Sequence, residues 1–187
     1  MAMELRLSDG RRLRSPPGTI SRPTPARVRQ AVFNLLREQV VGARWLDLFS
    51  GSGAMACEAL LHGAVHVTAV ERHGRAAAVA RQNLELVCRP PGTFTLHRRD
   101  ALAWLRAWPQ AATPQQPFNL IYGDPPYHGG LYEPLARATS HGGIMAPGGL
   151  LLLECSSGQP PANLPGWHLH SRHRYGGTTL LLLQAGF

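Results

Sequence analysis

At 187 residues, 44% hydrophobic and 16% charged, the chain suits one α/β domain with a full core, which excludes a disordered polymer and leaves no room for two comfortable domains. No apolar run approaches the roughly 18 residues that span a bilayer, and the start, with Glu4, Arg6 and Asp9, has no apolar signal segment, so a cytoplasmic protein with no membrane partner is expected. The formal net charge is +8 with a pI near 10.6, and that surplus suggests a polyanionic partner.

All 19 basic residues other than histidine are arginine, whose planar fork suits phosphate and stacks on bases. A high-GC genome accounts for the missing lysine but not for the net charge. Cys57, Cys88 and Cys155 are odd in number and widely spaced. They form neither a disulfide framework nor a zinc signature, so buried reduced thiols and no metal are expected.

Residues 1 to 30 are basic and broken by turns at Asp9-Gly10, Pro16-Pro17-Gly18, Pro23 and Pro25. They read as a short strand or hairpin, a loop, and a helix from about Pro25 to Gln39. Helical spacing predicts Val28, Val32, Leu35 and Leu36 buried, and Ala26, Arg29 and Gln30 exposed. Strands and helices then alternate. Strands are expected at 45–49, 66–71, 94–98, 118–122 and 150–154, with helices at 54–62, 75–87, 101–108 and 131–140. Residues 109 to 117 form a polar linker. Trp167 to Tyr175 and Thr178 to Gln184 make a hairpin around Gly176-Gly177. Such alternation predicts a mostly parallel sheet with right-handed crossovers and an antiparallel edge.

Four motifs carry chemistry. In Asp47-Leu48-Phe49-Ser50-Gly51-Ser52-Gly53, between strand and helix, the glycines let backbone approach a ligand. Alone, this Gly-x-Gly is as consistent with a structural turn. Glu71 ends the next strand, 20 residues past Gly51, where an acid accepts ribose hydroxyls of NAD or S-adenosylmethionine alike. Asp100 follows the third strand, where it would serve as a helix N-cap, as an acceptor for an adenine amino group, or as both. The deciding motif is Asp124-Pro125-Pro126-Tyr127, about 70 residues after the Gly-rich loop. Consecutive prolines stiffen the backbone and remove two donors, leaving carbonyls free to accept beside the Asp124 carboxylate. That acceptor pair suits an NH2 group, and Tyr127 offers a face for a base.

Motif order and spacing resemble the class I methyltransferases that act on base amino groups, and within them the RsmD family. The residues are Arg22-Pro23-Thr24 with Arg27-Val28-Arg29 and Phe33-Asn34, the Asp47 to Gly53 loop, Glu58-Ala59-Leu60, Gly63-Ala64, Glu71, Asn83-Leu84 and Asp124-Pro125-Pro126-Tyr127. The first block is the family-specific one, and the resemblance covers nearly all the chain. It departs where a glycine pair is expected before Asp9-Gly10-Arg11-Arg12-Leu13, in arginines that replace lysines, and in the long 109–117 linker.

The resemblance implies a Rossmann-like, seven-stranded, mostly parallel sheet with an antiparallel C-terminal hairpin. Residues 1–40 would be a basic extension with a helix packed on a catalytic domain at 41–187. The implied activity is methyl transfer from S-adenosylmethionine to the exocyclic N2 of a guanine in small-subunit ribosomal RNA, by a monomer acting within a small-subunit particle. Asp47, Phe49, Gly51, Ser52, Gly53, Glu71, Arg72, Asp100 and Ala101 would hold the cofactor, under a lid with Thr24 and Asn34. Asp124, Pro125, Pro126 and Tyr127 would act on the acceptor. Arg11, Arg12, Arg14, Arg22, Arg27 and Arg29 would grip RNA phosphates, or in part order the lid, the alternative for each being a solvated basic face. A DNA adenine-N6 or cytosine-N4 methyltransferase is the competing enzyme, but the short gaps leave no room for a target-recognition domain. The intact Asp124 to Tyr127 motif disfavours a non-catalytic RNA-binding scaffold. The missing third glycine disfavours an NAD enzyme.

Overall fold

The four-leucine run near the end of the sequence shows why the sheet must be covered on both faces. In the computed structural model, which describes residues 5–16, 24–108, 115–127 and 129–186, this run lies in a strand whose side chains alternate between two cores. Leu180 and Leu182 join one buried cluster, and Leu181 and Leu183 join the other.

The elements in chain order are β1 (Leu5–Arg6), β2 (Arg12–Leu13), α1 (Ala26–Leu35), β3 (Arg44–Leu48), α2 (Ala54–Leu61), β4 (His66–Val70), α3 (Gly74–Val87), β5 (Thr93–His97), α4 (Ala101–Ala107), β6 (Phe118–Gly123), α5 (Tyr132–Thr139), β7 (Met145–Ser156), β8 (Trp167–Tyr175) and β9 (Thr178–Ala185). Seven strands form one sheet in the order β5-β4-β3-β6-β7-β9-β8. The first five of these are parallel, and β9 runs antiparallel to both β7 and β8. The seven-stranded, mostly parallel sheet with a C-terminal hairpin is the expected class I architecture. Residues 109–114 of the expected linker and Arg22 lie outside the described residues.

Helices follow the apolar spacing. In α3, Ala76, Ala77, Ala80, Asn83, Leu84 and Val87 are buried, a stripe three and four residues apart. In α2, Ala54 through Ala59 are all buried. Small side chains let this helix lie close against its neighbours. Two boundaries differ from expectation. Helix α1 stops at Leu35, short of Gln39. Strand β7 begins at Met145 rather than Leu150, because its pairing with β6 skips from Phe118↔Met145 to Leu120↔Leu150. Pro147-Gly148-Gly149 fills that irregularity, where proline and glycine are tolerated.

The larger correction is Arg29. Expected on the exposed face of α1, it is 3% exposed. Its Nε lies 3.7 Å from Glu58 Oε1, and its terminal nitrogens donate to the carbonyls of Thr24, at 2.8 Å, and of Arg6. Glu58, on α2, also accepts from Ser8 backbone N–H at 3.0 Å and Ser8 Oγ at 2.6 Å. One buried ion pair thus joins the β1–β2 hairpin, α1 and α2, while Leu5, Leu7 and Leu13 enter the core beneath. Arg29 is a structural clasp and not an RNA contact. Removing one partner of a buried pair strands the other charge. Glu58→Ala should therefore lower stability by about 3–5 kcal/mol in chemical denaturation, whereas Arg11→Ala, at an exposed site, should stay within about 0.5 kcal/mol of the parent.

Candidate active site

The C-terminal ends of β3, β4 and β6 open on one cavity, at the point where the strand order reverses between β3 and β6. Its floor comes from β3. Asp47 is 1% exposed, and its Oδ2 accepts the Ala56 N–H at 3.1 Å. The chain then turns through Phe49, which has a positive φ of 64°, and through Gly51 and Gly53, at 55° and 76°. A side chain on Gly53 would meet Ala80 Cβ at 3.2 Å and its Cα at 3.3 Å. Glycine is thus required both by the left-handed backbone and by the contact with α3. The turn is pinned from outside by Asn83, whose Nδ2 donates to the Ser52 carbonyl at 2.9 Å and whose amide also pairs with the backbone of Arg14.

Glu71, at the end of β4, holds the loop from the other side. Its Oε2 accepts Gly51 N–H at 2.8 Å and its Oε1 accepts His73 N–H at 2.7 Å. Both oxygens keep further lone pairs for a ligand. Arg72, His73, Arg99 and Ala101 complete this end. Beyond β6, Asp124 and Pro126 face the same cavity, with Thr24 and Tyr122 across from them. Pro125 is buried, and Tyr127 stands at the rim, 41% exposed, with the Thr178 side chain near its hydroxyl.

The electrostatics are one-sided. Burial pushes the Asp47 carboxyl up to about 8, with a further rise from Glu71 and a partial offset from the Ala56 N–H. Burial likewise raises Asp124 to about 8, helped by Glu154 and Asp47. Behind Asp124, the Tyr122 hydroxyl donates to Glu154 Oε2 at 2.5 Å, and burial holds that hydroxyl well above the ordinary phenol range. Ser50 Oγ is buried with no hydrogen-bond partner in the protein. Buried carboxyls, an unpaired hydroxyl and open backbone on one cavity, with Arg72 and Arg99 at its Glu71 end, suit a polar ligand that carries positive charge. Among the described residues no cluster of three or more His, Cys, Asp or Glu could hold a metal. No helix there is long and apolar enough to cross a membrane.

Most residues singled out from the sequence converge here: Thr24, Asp47, Phe49, Gly51, Ser52, Glu71, Arg72, Ala101, Asp124 and Pro126 share the cavity wall. Two of the others lie off that wall. Asp100 is exposed and N-caps α4, as one of its readings expects, its Oδ1 accepting Ala103 N–H at 3.0 Å, while its neighbours Arg99 and Ala101 line the cavity. Asn34 is exposed on α1 and does not reach the cavity. Of the N-terminal arginines, Arg11 is paired with Asp9 at 2.5 Å and Arg14 donates to Gln82 at 2.8 Å, while Arg12 and Arg27 are exposed. Tyr122 and Glu154 were not anticipated. The visible signal was an acid ending the apolar run Leu150 to Leu153.

The family named Conserved hypothetical protein 95 matches residues 7–184. The chain belongs to that family. Ribosomal RNA small subunit methyltransferase D of Escherichia coli strain K12 is 33% identical over 180 residues, covering 94% of this chain and 85% of that protein, which bears out the RsmD-family resemblance. Among solved structures, the Escherichia coli protein yhhF superposes with a TM-score of 0.80 at 29% identity, over 97% of this chain and 98% of that one. The Haemophilus influenzae protein HI0767 gives 0.76 at 26% identity over the same shares. The methyltransferase fold of the family is thus present together with an intact cavity.

Asp47 offers a test of the cavity's electrostatics. A carboxyl with a raised pKa binds its proton more tightly in the folded chain than in the unfolded one. Its burial therefore costs more stability as pH climbs from 3.8 to about 8. Asp47→Asn keeps an acceptor for Ala56 and removes the charge. It should raise the melting temperature of the ligand-free protein, and more at pH 8 than at pH 5; equal shifts at both values would show that buried charge is not the cause.

Proposed function

We propose that this chain transfers the methyl group of S-adenosylmethionine to the exocyclic N2 of a guanine in small-subunit ribosomal RNA. It is an enzyme of the S-adenosylmethionine-dependent ribosomal RNA methyltransferase class. The observation that carries this reading is the position of Asp124-Pro125-Pro126 on the same cavity as Asp47, the Gly51 turn and Glu71. The 33% identity to a small-subunit methyltransferase across nearly the whole chain supports the substrate class. A small-subunit particle is the setting that name favours.

The residues fit the cofactor. Its sulfonium and ammonium are cations, and Asp47 and Asp124 are carboxylates whose burial is unfavourable until a cation arrives. Glu71 retains acceptor capacity for ribose hydroxyls beyond its two backbone bonds. The Gly51 turn and the Ser50 hydroxyl would hold the methionine portion. When bound, S-adenosylmethionine supplies a methyl group already activated on sulfur.

What remains for the protein is the acceptor. An exocyclic amine is a weak nucleophile because its lone pair is delocalised into the ring. The Asp124 carboxylate and the Pro125 carbonyl accept its two N–H bonds, which draws the nitrogen toward a pyramidal shape and turns the lone pair toward the methyl. The proline pair keeps those acceptors in place, so positioning and electrostatics supply most of the acceleration. With the cofactor's cation beside it, the Asp124 carboxylate is also placed to take the departing proton. Tyr127 stacks on the presented base.

Labelled methyl transfer to naked ribosomal RNA, assembled small subunits and duplex DNA, followed by nucleoside analysis, tests the reading. N2-methylguanosine in RNA is expected; label only in DNA would overturn it. Asp124→Ala should abolish turnover while calorimetry still detects cofactor binding. Glu71→Ala should weaken cofactor affinity, with each lost charge-assisted bond worth roughly 1.5–3 kcal/mol. Parent-like affinity in that variant would remove Glu71 from the cofactor site.

A further inference from the structure

Part of the arginine-rich start is taken up within the protein. Arg29 is buried, Arg11 pairs with Asp9, and Arg14 is engaged by Gln82. At the other end of the chain the last acid is Glu154, and residues 155–187 contain none. That stretch holds Arg172, Arg174, His168, His170 and His173, all on β8. Arg172 and Arg174 are exposed. Strand β8 forms an open edge of the sheet, with β9 as its one neighbour.

The register fixes where this edge lies relative to the chemistry. Gly123 pairs with Leu153, Leu153 with Leu181, and Leu181 with Arg172. Arg172 therefore stands in the same cross-sheet row as the residue before Asp124, three strand spacings away, or roughly 14 Å. Directly paired residues share a face. Leu181 belongs to the core that α5 contributes to through Leu135 and Ala136, so Arg172 projects from that face of the sheet. Arg174, two residues on, shares it. Tyr127 lies near the side chain of Thr178, which pairs with Tyr175 at the hairpin turn, so the catalytic turn and the start of the cationic hairpin are neighbours. A few nucleotides of single strand bridge the distance between a base held at Asp124 and a phosphate at Arg172.

We infer that Arg172 and Arg174 of the terminal hairpin hold the RNA phosphates flanking the target base. This rests on the reading of the chain as an RNA methyltransferase. Both side chains are exposed and arginine forks suit phosphate oxygens. The contacts they make are sequence-independent, so they set register on the strand and leave recognition of the base to the cavity.

The test compares the parent, an Arg172→Ala/Arg174→Ala double variant, the matching Arg→Lys double variant, and an Arg11→Ala/Arg12→Ala/Arg14→Ala triple variant. Binding of naked small-subunit ribosomal RNA is followed across a salt series, alongside steady-state methylation and cofactor calorimetry. In the double alanine variant the slope of log affinity against log salt should become shallower by about 1.4, from two contacts at about 0.7 each. The KM for RNA should rise, while kcat at saturating RNA and cofactor affinity hold. The lysine variant should recover most of the slope. Parent-like slope and KM in the double alanine variant, or a loss confined to the N-terminal triple variant, would overturn the hairpin grip while leaving the methyltransferase reading intact. A parent protein that methylates no RNA would bring down that reading, and the grip with it.

Discussion

Everything at the working end of this molecule depends on negative charge held out of water. Asp47, Glu71 and Glu154 are buried, Asp124 is half-buried, and all four lie at the ends of parallel strands. Parallel strands deliver their C-terminal ends to one edge, so acids that end separate strands become spatial neighbours. In the ligand-free chain their mutual repulsion and desolvation favour protons on Asp47 and Asp124. A cation in the cavity reverses that preference. The site is therefore less stable empty than filled by a group of the right charge, and the surrounding backbone bonds to Glu71 and Asp47 keep the carboxylates from moving apart.

The sheet divides the labour at β3 and β6. On one side, β3 and β4 with α2 and α3 build the Gly51 turn and its clamps, Glu71 and Asn83. On the other, β6 and β7 with the terminal hairpin build the acceptor side, where Asp124, Tyr122 and Glu154 interact and Tyr127 reaches Thr178. Asp47 lies in the boundary strand and influences Asp124 across it. The order β5-β4-β3-β6-β7-β9-β8 is what lets two halves of different chemistry share one cavity wall.

Much of this was legible in the sequence because it rests on local patterns. Alternating apolar runs, the Gly51 turn, Glu71 at a strand end and the Asp124 to Tyr127 turn all lie within a few residues of the features that create them. What escaped depended on partners distant in sequence. Arg29 looks like a surface arginine until Glu58, on another helix, provides its counter-charge. Asp100 suited an N-cap, an adenine acceptor or both, and its carboxylate turns toward α4 as an N-cap. Asn34 sits beside buried Phe33, yet one step around a helix moves a side chain by about 100°. Glu154 ended a leucine run and drew no notice, because an acid at a strand end gains meaning only when the neighbouring strand carries Tyr122 opposite it.

The clasp around Glu58 also bears on the order in which the chain assembles. Ser8 is made early in synthesis, yet the carboxylate that receives both its backbone and side-chain donors lies 50 residues downstream. Arg14 likewise waits for Asn83, 69 residues on. Contacts of such span are formed only after the intervening loop has closed, which costs entropy before it returns anything. The β1–β2 hairpin is thus made before the groups that receive it, and it docks onto a core that must already have placed α2 and α3.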